Sequence, residues 1–67
     1  MESIFKISNM NTVEDINNIR KSISNNEGVV ACQINSYKKE LSVVYDNYFI
    51  NKDLFIQILE DLGYTLL

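Results

Sequence analysis

The residues able to do chemistry in this chain are few, and most lie close together near its start. Thr12, Glu14 and Asp15 place three oxygen-bearing side chains just after the loop Asn9-Met10-Asn11. Oxygen donors of this kind suit a hard cation, and the same residues suit the beginning of a helix. The helix start fits better. Thr12 is a good N-cap, and Asp15 stands three residues later, where a capping box places an acid, here Asp instead of the usual Glu or Gln. The free N–H groups of a first helical turn attract carboxylates and repel cations. Glu14 and Asp15, adjacent on a helix, point about 100° apart rather than converging. A hard-cation cage also needs about six oxygens, more than this loop offers.

Soft chemistry is scarcer still. Cys32 is the only cysteine, and Met1 and Met10 are the only other sulfur-bearing residues. Cys32 alternates with Ile34, which points it into the interior as a small hydrophobe. Met10 is expected to plug the core beneath its loop. One thioether and one buried thiol on different elements make a poor soft-metal site. Histidine is absent, which removes the commonest general base and the commonest metal ligand together.

These groups must be positioned by a very small chain. Its 67 residues are 46% apolar and 22% charged, a composition that reads as one globular domain over residues 1–67. A domain of this size buries only about 60% of its unfolded surface, so there is no room for a lid, a second lobe or a deep cavity. Six basic residues against nine acidic ones give a net charge of −3. That balance argues against nucleic acid as a partner. A lone cysteine closes no intrachain disulfide, and the opening residues do not resemble a signal peptide. The longest apolar run, Val29-Val30-Ala31-Cys32, is far too short for membrane insertion. A cytoplasmic location is expected.

Periodicity then places the elements. Ser3–Ser8 alternates, with Phe5 and Ile7 on one face, and predicts a strand. Thr12 opens a helix with Val13, Ile16, Ile19 and Ile23 as its apolar stripe, ended by Ser24-Asn25-Asn26-Glu27-Gly28. Val29–Asn35 and Glu40–Tyr45 predict two strands of a hairpin joined through Ser36-Tyr37-Lys38-Lys39, with Lys38-Lys39 as a solvated turn. Cys32 and Ile34 share a face of the first, and Leu41, Val43 and Tyr45 a face of the second. Asn51 is a good N-cap for a second helix. There Phe55, Ile58, Leu59 and Leu62 follow the helical period, and Gly63 stands where a C-cap glycine would. Tyr64–Leu67 is expected to form a last short strand. The order βαββαβ, with right-handed crossovers, predicts an α+β fold of the ferredoxin-like kind: a two-layer sandwich with a four-stranded antiparallel sheet and two helices on one face.

In this register the chain resembles the heavy-metal-associated domain family of small copper chaperones and copper-ATPase metal-binding domains. Met10 sits where that family's Met-x-Cys-x-x-Cys motif begins. Ile16, Ile19 and Ile23 fall at its core helix positions, and Gly28-Val29 matches its Gly-Val turn. Val43-Val44-Tyr45-Asp46 and Glu60-Asp61-Leu62-Gly63-Tyr64 match its later segments. The resemblance spans essentially the whole chain, but Thr12 and Asp15 stand at the two cysteine positions. Two thiolates match soft, low-coordinate Cu(I), whereas a hydroxyl and a carboxylate do not. The resemblance therefore implies a non-catalytic binding module that has lost Cu(I) binding, with no cofactor expected. Tyr64 matches the tyrosine that packs beside the metal loop in bacterial members, where it would shield the site; without the cysteines, ordinary packing is the favoured role. Asn11, Glu14, Asp15 and Tyr64 are the candidate docking surface. The implied partner is a related domain of a metal-transporting P-type ATPase or another protein, and the chain is expected to be a monomer or weak homodimer.

Four other readings compete. Heavy-metal transport through Thr12, Asp15, Cys32 or a partner's ligands keeps the family's task but lacks the cysteine pair. A small-molecule regulatory domain of the ACT-like type shares the topology, yet Asn9-Met10-Asn11 is not the glycine-rich loop it uses. An acylphosphatase-like hydrolase needs a phosphate-binding loop with a placed arginine, and the only arginine, Arg20, lies mid-helix. RNA recognition lacks a stacking platform on the strands. Leu54, Ile56, Tyr48 and Phe49 fall outside the core stripes and form either a surface patch or a cover for the core's edge.

Overall fold

The helix boundaries follow from local hydrogen-bond chemistry. In the computed structural model, which describes all 67 residues, α1 runs over Val13–Ser24 with Thr12 as its N-cap. Its last carbonyls are closed by a side chain: Asn26 Nδ2 donates to Ser22 O at 2.8 Å and to Ile23 O at 2.9 Å. Helix α2 spans Lys52–Asp61, where the Asn51 side chain accepts from Asp53 N and Leu54 N. At its other end Gly63 adopts φ +93°. Gly63 N donates to Glu60 O and Tyr64 N donates to Leu59 O, both at 2.9 Å. That pair of bonds is a Schellman motif, which reverses the chain at a left-handed residue that glycine tolerates best.

Three strands, β1 (Glu2–Lys6), β2 (Val29–Asn35) and β3 (Glu40–Tyr45), form an antiparallel sheet in the order β1-β3-β2. The pairing sets Phe5 opposite Leu41 and Ile34 opposite Leu41 on the other side, so all three project to one face. On that face Phe5, Leu41, Val43 and Tyr45 meet Ile19 and Ile23 of α1 and Phe55 and Leu59 of α2 in one buried cluster. Phe55 is its centre. Its ring makes edge contacts with Tyr45 at 5.0 Å and Phe5 at 6.3 Å between centroids. The one hydroxyl carried into this layer, that of Tyr45, lies 2.9 Å from Ser3 Oγ and is hydrogen-bonded there.

The expected four-stranded βαββαβ sheet is not what forms. The architecture is a ferredoxin-like βαββα arrangement with a three-stranded sheet. Tyr64–Leu67 runs beside the chain just past β1 and makes a single isolated bridge, Ile7 with Leu66. The reason is Asn9. Ser8 N donates to Thr65 O and Leu67 N to Lys6 O as a ladder would. The next bonds, however, are made by the Asn9 side chain, which accepts from Thr65 N at 2.9 Å and donates to Gly63 O at 3.1 Å. A side-chain amide replaces the backbone rung, and the strand ends there.

Two apolar positions also depart from expectation. Val13 is 72% exposed, because at 100° per residue it lies about 120° around the helix from Ile19, outside the stripe. Leu62 is 44% exposed, since it caps α2 rather than belonging to it. No helix is long and apolar enough to cross a membrane.

Candidate functional site

The loop between β1 and α1 places the motif residues, and hydrogen bonds hold it in one arrangement. Thr12 Oγ1 accepts from Asp15 N at 3.0 Å. Asp15 Oδ2 accepts from Asn11 N at 3.0 Å and from Thr12 N at 3.1 Å. The capping box expected from Thr12 and Asp15 is present, with both reciprocal bonds made. Asp15 Oδ1 is engaged as well. It accepts from the Tyr64 hydroxyl at 2.7 Å. Both oxygens of the carboxylate thus point at donors supplied by the protein, and the threonine oxygen already serves a backbone N–H.

The electrostatics follow from those contacts. The Asn11 backbone N–H, followed by the Tyr64 hydroxyl and then the Thr12 backbone N–H and hydroxyl, holds the Asp15 carboxyl below its ordinary 3.8, against an opposing effect of burial. The Tyr64 hydroxyl moves the other way and is pushed up to about 12. Burial contributes most to that shift, and the Asp15 bond and the charges of Asp15 and Glu14 add to it. A proton shared toward a carboxylate is harder to remove, so the pair is one donor–acceptor unit.

Of the four residues expected on the docking surface, Asp15 and Tyr64 are brought into direct contact. Asn11 and Glu14 are exposed beside them. Met10 is buried in the core cluster, as expected of a plug. Cys32 lies on β2, half-buried against the same cluster. Burial pushes its thiol up, against smaller opposing effects of the Ser24 hydroxyl and Arg20. Ile56 also packs on the core, whereas Tyr48 and Phe49 are exposed and stack edge-on with each other at 5.3 Å.

Two contributors were not expected from the sequence. Lys39, read as part of a solvated turn, adopts φ +56°. Its ammonium donates to Ser8 O at 3.2 Å and to Asn11 Oδ1 at 2.7 Å, tying the β2–β3 hairpin to the motif loop. Asn9 ties the loop to the segment after α2, as described above. Both contacts join residues far apart in sequence, and nothing local marks that of Lys39. An asparagine directly after an alternating strand was the one available hint for Asn9, because Asn side chains mimic backbone groups.

The donor set does not fit a soft metal ion such as Cu(I). Thr12 and Asp15 offer oxygen where soft cations need sulfur, and these oxygens already accept protein hydrogen bonds. No group of three or more His, Cys, Asp or Glu side chains is placed to hold a metal ion. The one thiol, Cys32, is free and belongs to a different element.

No protein-family model matches the chain, and no curated protein matches it. Solved structures do. The CopZ metallochaperone superposes with a TM-score of 0.94 at 21% identity, over 100% of both chains. The yeast copper transporter domain CCC2A, known in apo and Cu(I)-loaded states, gives 0.88 at 29% identity, over 98% of this chain and 93% of that one. A copper-binding domain from HMA7, a P-type ATPase, gives 0.88 at 18% identity, over 98% and 92%. The chain is thus a small module with the metallochaperone-like form of the ferredoxin fold. It carries a single cysteine, which is free.

Proposed function

We propose that this domain is a docking module that carries no metal of its own and binds a related metal-binding domain of a metal-transporting P-type ATPase. The reading rests on the state of the motif loop. Asp15, at the second cysteine position, is closed by Asn11 N, Thr12 N and the Tyr64 hydroxyl, so the loop is stable without a metal. The fold shared with the CCC2A and HMA7 domains supports the choice of partner. The docking surface is Asn11, Glu14, Asp15 and Tyr64. Within it Asp15 and Tyr64 shape the loop, and exposed Glu14 supplies the charge that meets a basic partner surface. The cytoplasm is the compartment this reading requires, and the single free thiol suits it.

An anaerobic Cu(I) competition titration against a strong chelator tests the first half. The natural protein is expected not to compete, and a Thr12→Cys/Asp15→Cys variant is expected to compete on the same scaffold. Tight competition by the natural protein would overturn the reading. The second half is tested by titrating the isotope-labelled chain with the metal-binding domain of a copper-transporting P-type ATPase. Amide shifts are expected at Asn11–Asp15 and Tyr64, weakened about tenfold or more by Glu14→Lys and by salt. Shifts confined to other surfaces, or none, would refute the docking site.

A further inference from the structure

The hydrogen-bond phase of the sheet leaves one strand edge open. Ile7 N donates to Lys39 O and Tyr45 N donates to Met1 O, so the odd-numbered residues of β3 turn their main-chain groups toward β1. Those groups alternate sides along a strand, and Glu40, Ser42 and Val44 therefore face β2. Their partners Asn35, Gln33 and Ala31 are turned inward. The N–H and C=O groups of Cys32 and Ile34 then point away from the sheet, because β2 is its outer strand.

Natural proteins blunt such edges with charges, proline or bulges. Val29–Asn35 contains neither a charged residue nor a proline. Its single irregularity lies between Val29 and Ala31 and interrupts only the first half of the strand. Ala31–Asn35 remains regular. A shallow recess of about 640 Å³ follows it, with Arg20, Cys32, Ile34 and Tyr37 among its walls.

We propose that a second copy of this chain pairs with this edge, antiparallel, about a two-fold axis through Gln33. The segment is complementary to itself. Its two outward-facing residues flank Gln33, so the axis sets Cys32 against the partner's Ile34 and Ile34 against the partner's Cys32, each pair exchanging two main-chain bonds. Ala31 meets the partner's Asn35, and the pairing stops before the bulge. An axis through Cys32 would instead carry the pairing into Val30, where the bulge breaks the register. No charge opposes a like charge along the segment, although each copy carries a net charge of −3. The exposed Gln33 side chains meet at the axis, where their amides hydrogen-bond. A five-residue pairing of this kind buries less than about 1,200 Å², the class of weak, reversible contacts. The association uses none of the motif-loop residues and is independent of the docking reading.

Sedimentation velocity of the purified full chain under reducing conditions, from about 10 µM to about 1 mM, tests it. The expected result is a concentration-dependent shift from monomer to dimer, weakened at least about tenfold by Gln33→Lys, which sets two like charges at the axis. An unchanged amide spectrum of that variant shows that the fold is kept. In a Cys32→Ser/Gln33→Cys variant the two cysteines face each other about 4.5 Å apart at Cα, within disulfide reach. Air oxidation is expected to link them. A monomer at every concentration overturns the proposal, as does a dimer indifferent to Gln33→Lys or a double variant that fails to cross-link.

Discussion

Tyr64 donates its hydroxyl proton to Asp15 Oδ1 at 2.7 Å, joining the turn after the last helix to the first turn of the first across 49 positions of sequence. The contact converts two separate local motifs into one structure. The capping box orients the Asp15 carboxylate, and the Schellman motif at Gly63 orients Tyr64 toward it.

The acid-base behaviour of this pair follows with definite signs. Asp15 has a folded pKa below its ordinary 3.8. Its stabilising effect is present above that value and is lost as the pH falls through the folded pKa. Tyr64, pushed from 10.0 to about 12, stabilises fully below pH 10 and loses that effect as the pH rises toward about 12. Tyr64→Phe should flatten the alkaline limb of stability and raise the pKa of Asp15. Carbon-13 NMR titration of the side chains reads both, and an unmoved Asp15 would show that the bond has no influence.

The cap itself makes an independent contribution. Thr12→Ala removes the acceptor for Asp15 N and should cost about 1 kcal/mol. In a domain of this size that corresponds to a fall in Tm of about 4–8 °C. Calorimetry on the single variant checks it.

Gly28 and Gly63 share nearly the same backbone angle, φ +95° and +93°, but not the same surroundings. A Cβ on Gly63 meets nothing within 4 Å, so Gly63→Ala should cost only the left-handed conformational penalty, about 1–2 kcal/mol. At Gly28 the new atom would stand 2.9 Å from Phe49 Cβ. Gly28→Ala is therefore expected to destabilise more than Gly63→Ala in a urea titration, and the reverse order would contradict this packing.

Phe55 is fully buried and touches both Phe5 and Tyr45. Phe55→Ala should cost about 3–5 kcal/mol. A chain of this length has a total stability of roughly 3–10 kcal/mol. Loss of most amide dispersion at room temperature is the expected outcome, and a well-folded variant would show that the core tolerates the cavity.

Asn9 offers a local test of the truncated fourth strand. Asn9→Ala removes the acceptor for Thr65 N and the donor to Gly63 O. Hydrogen exchange at the Thr65 amide should accelerate at least about tenfold while β1 and β3 keep their protection.

What could be read from the chain and what could not divide along a physical line. Helix caps, turn glycines and alternating strands are local, and Thr12, Asn51, Gly63 and the limits of β2 and β3 were legible from neighbours a few residues away. The capping pair Thr12 and Asp15 was legible in the same way, from its three-residue spacing. The periodicity also named most of the core; Val13 and Leu62 sit off the stripe or past the helix end, and Ile50, buried in the loop before α2, lies on no stripe. Three features depended on chain segments meeting in space. Lys39 reaches the motif loop from the hairpin, Asn9 takes over the rungs of the last strand, and the open edge of β2 follows from which side of β3 its neighbour occupies. Sequence carries the local preferences of each segment. Contacts across 28 to 56 positions arise only when packing of the shared core brings those segments together.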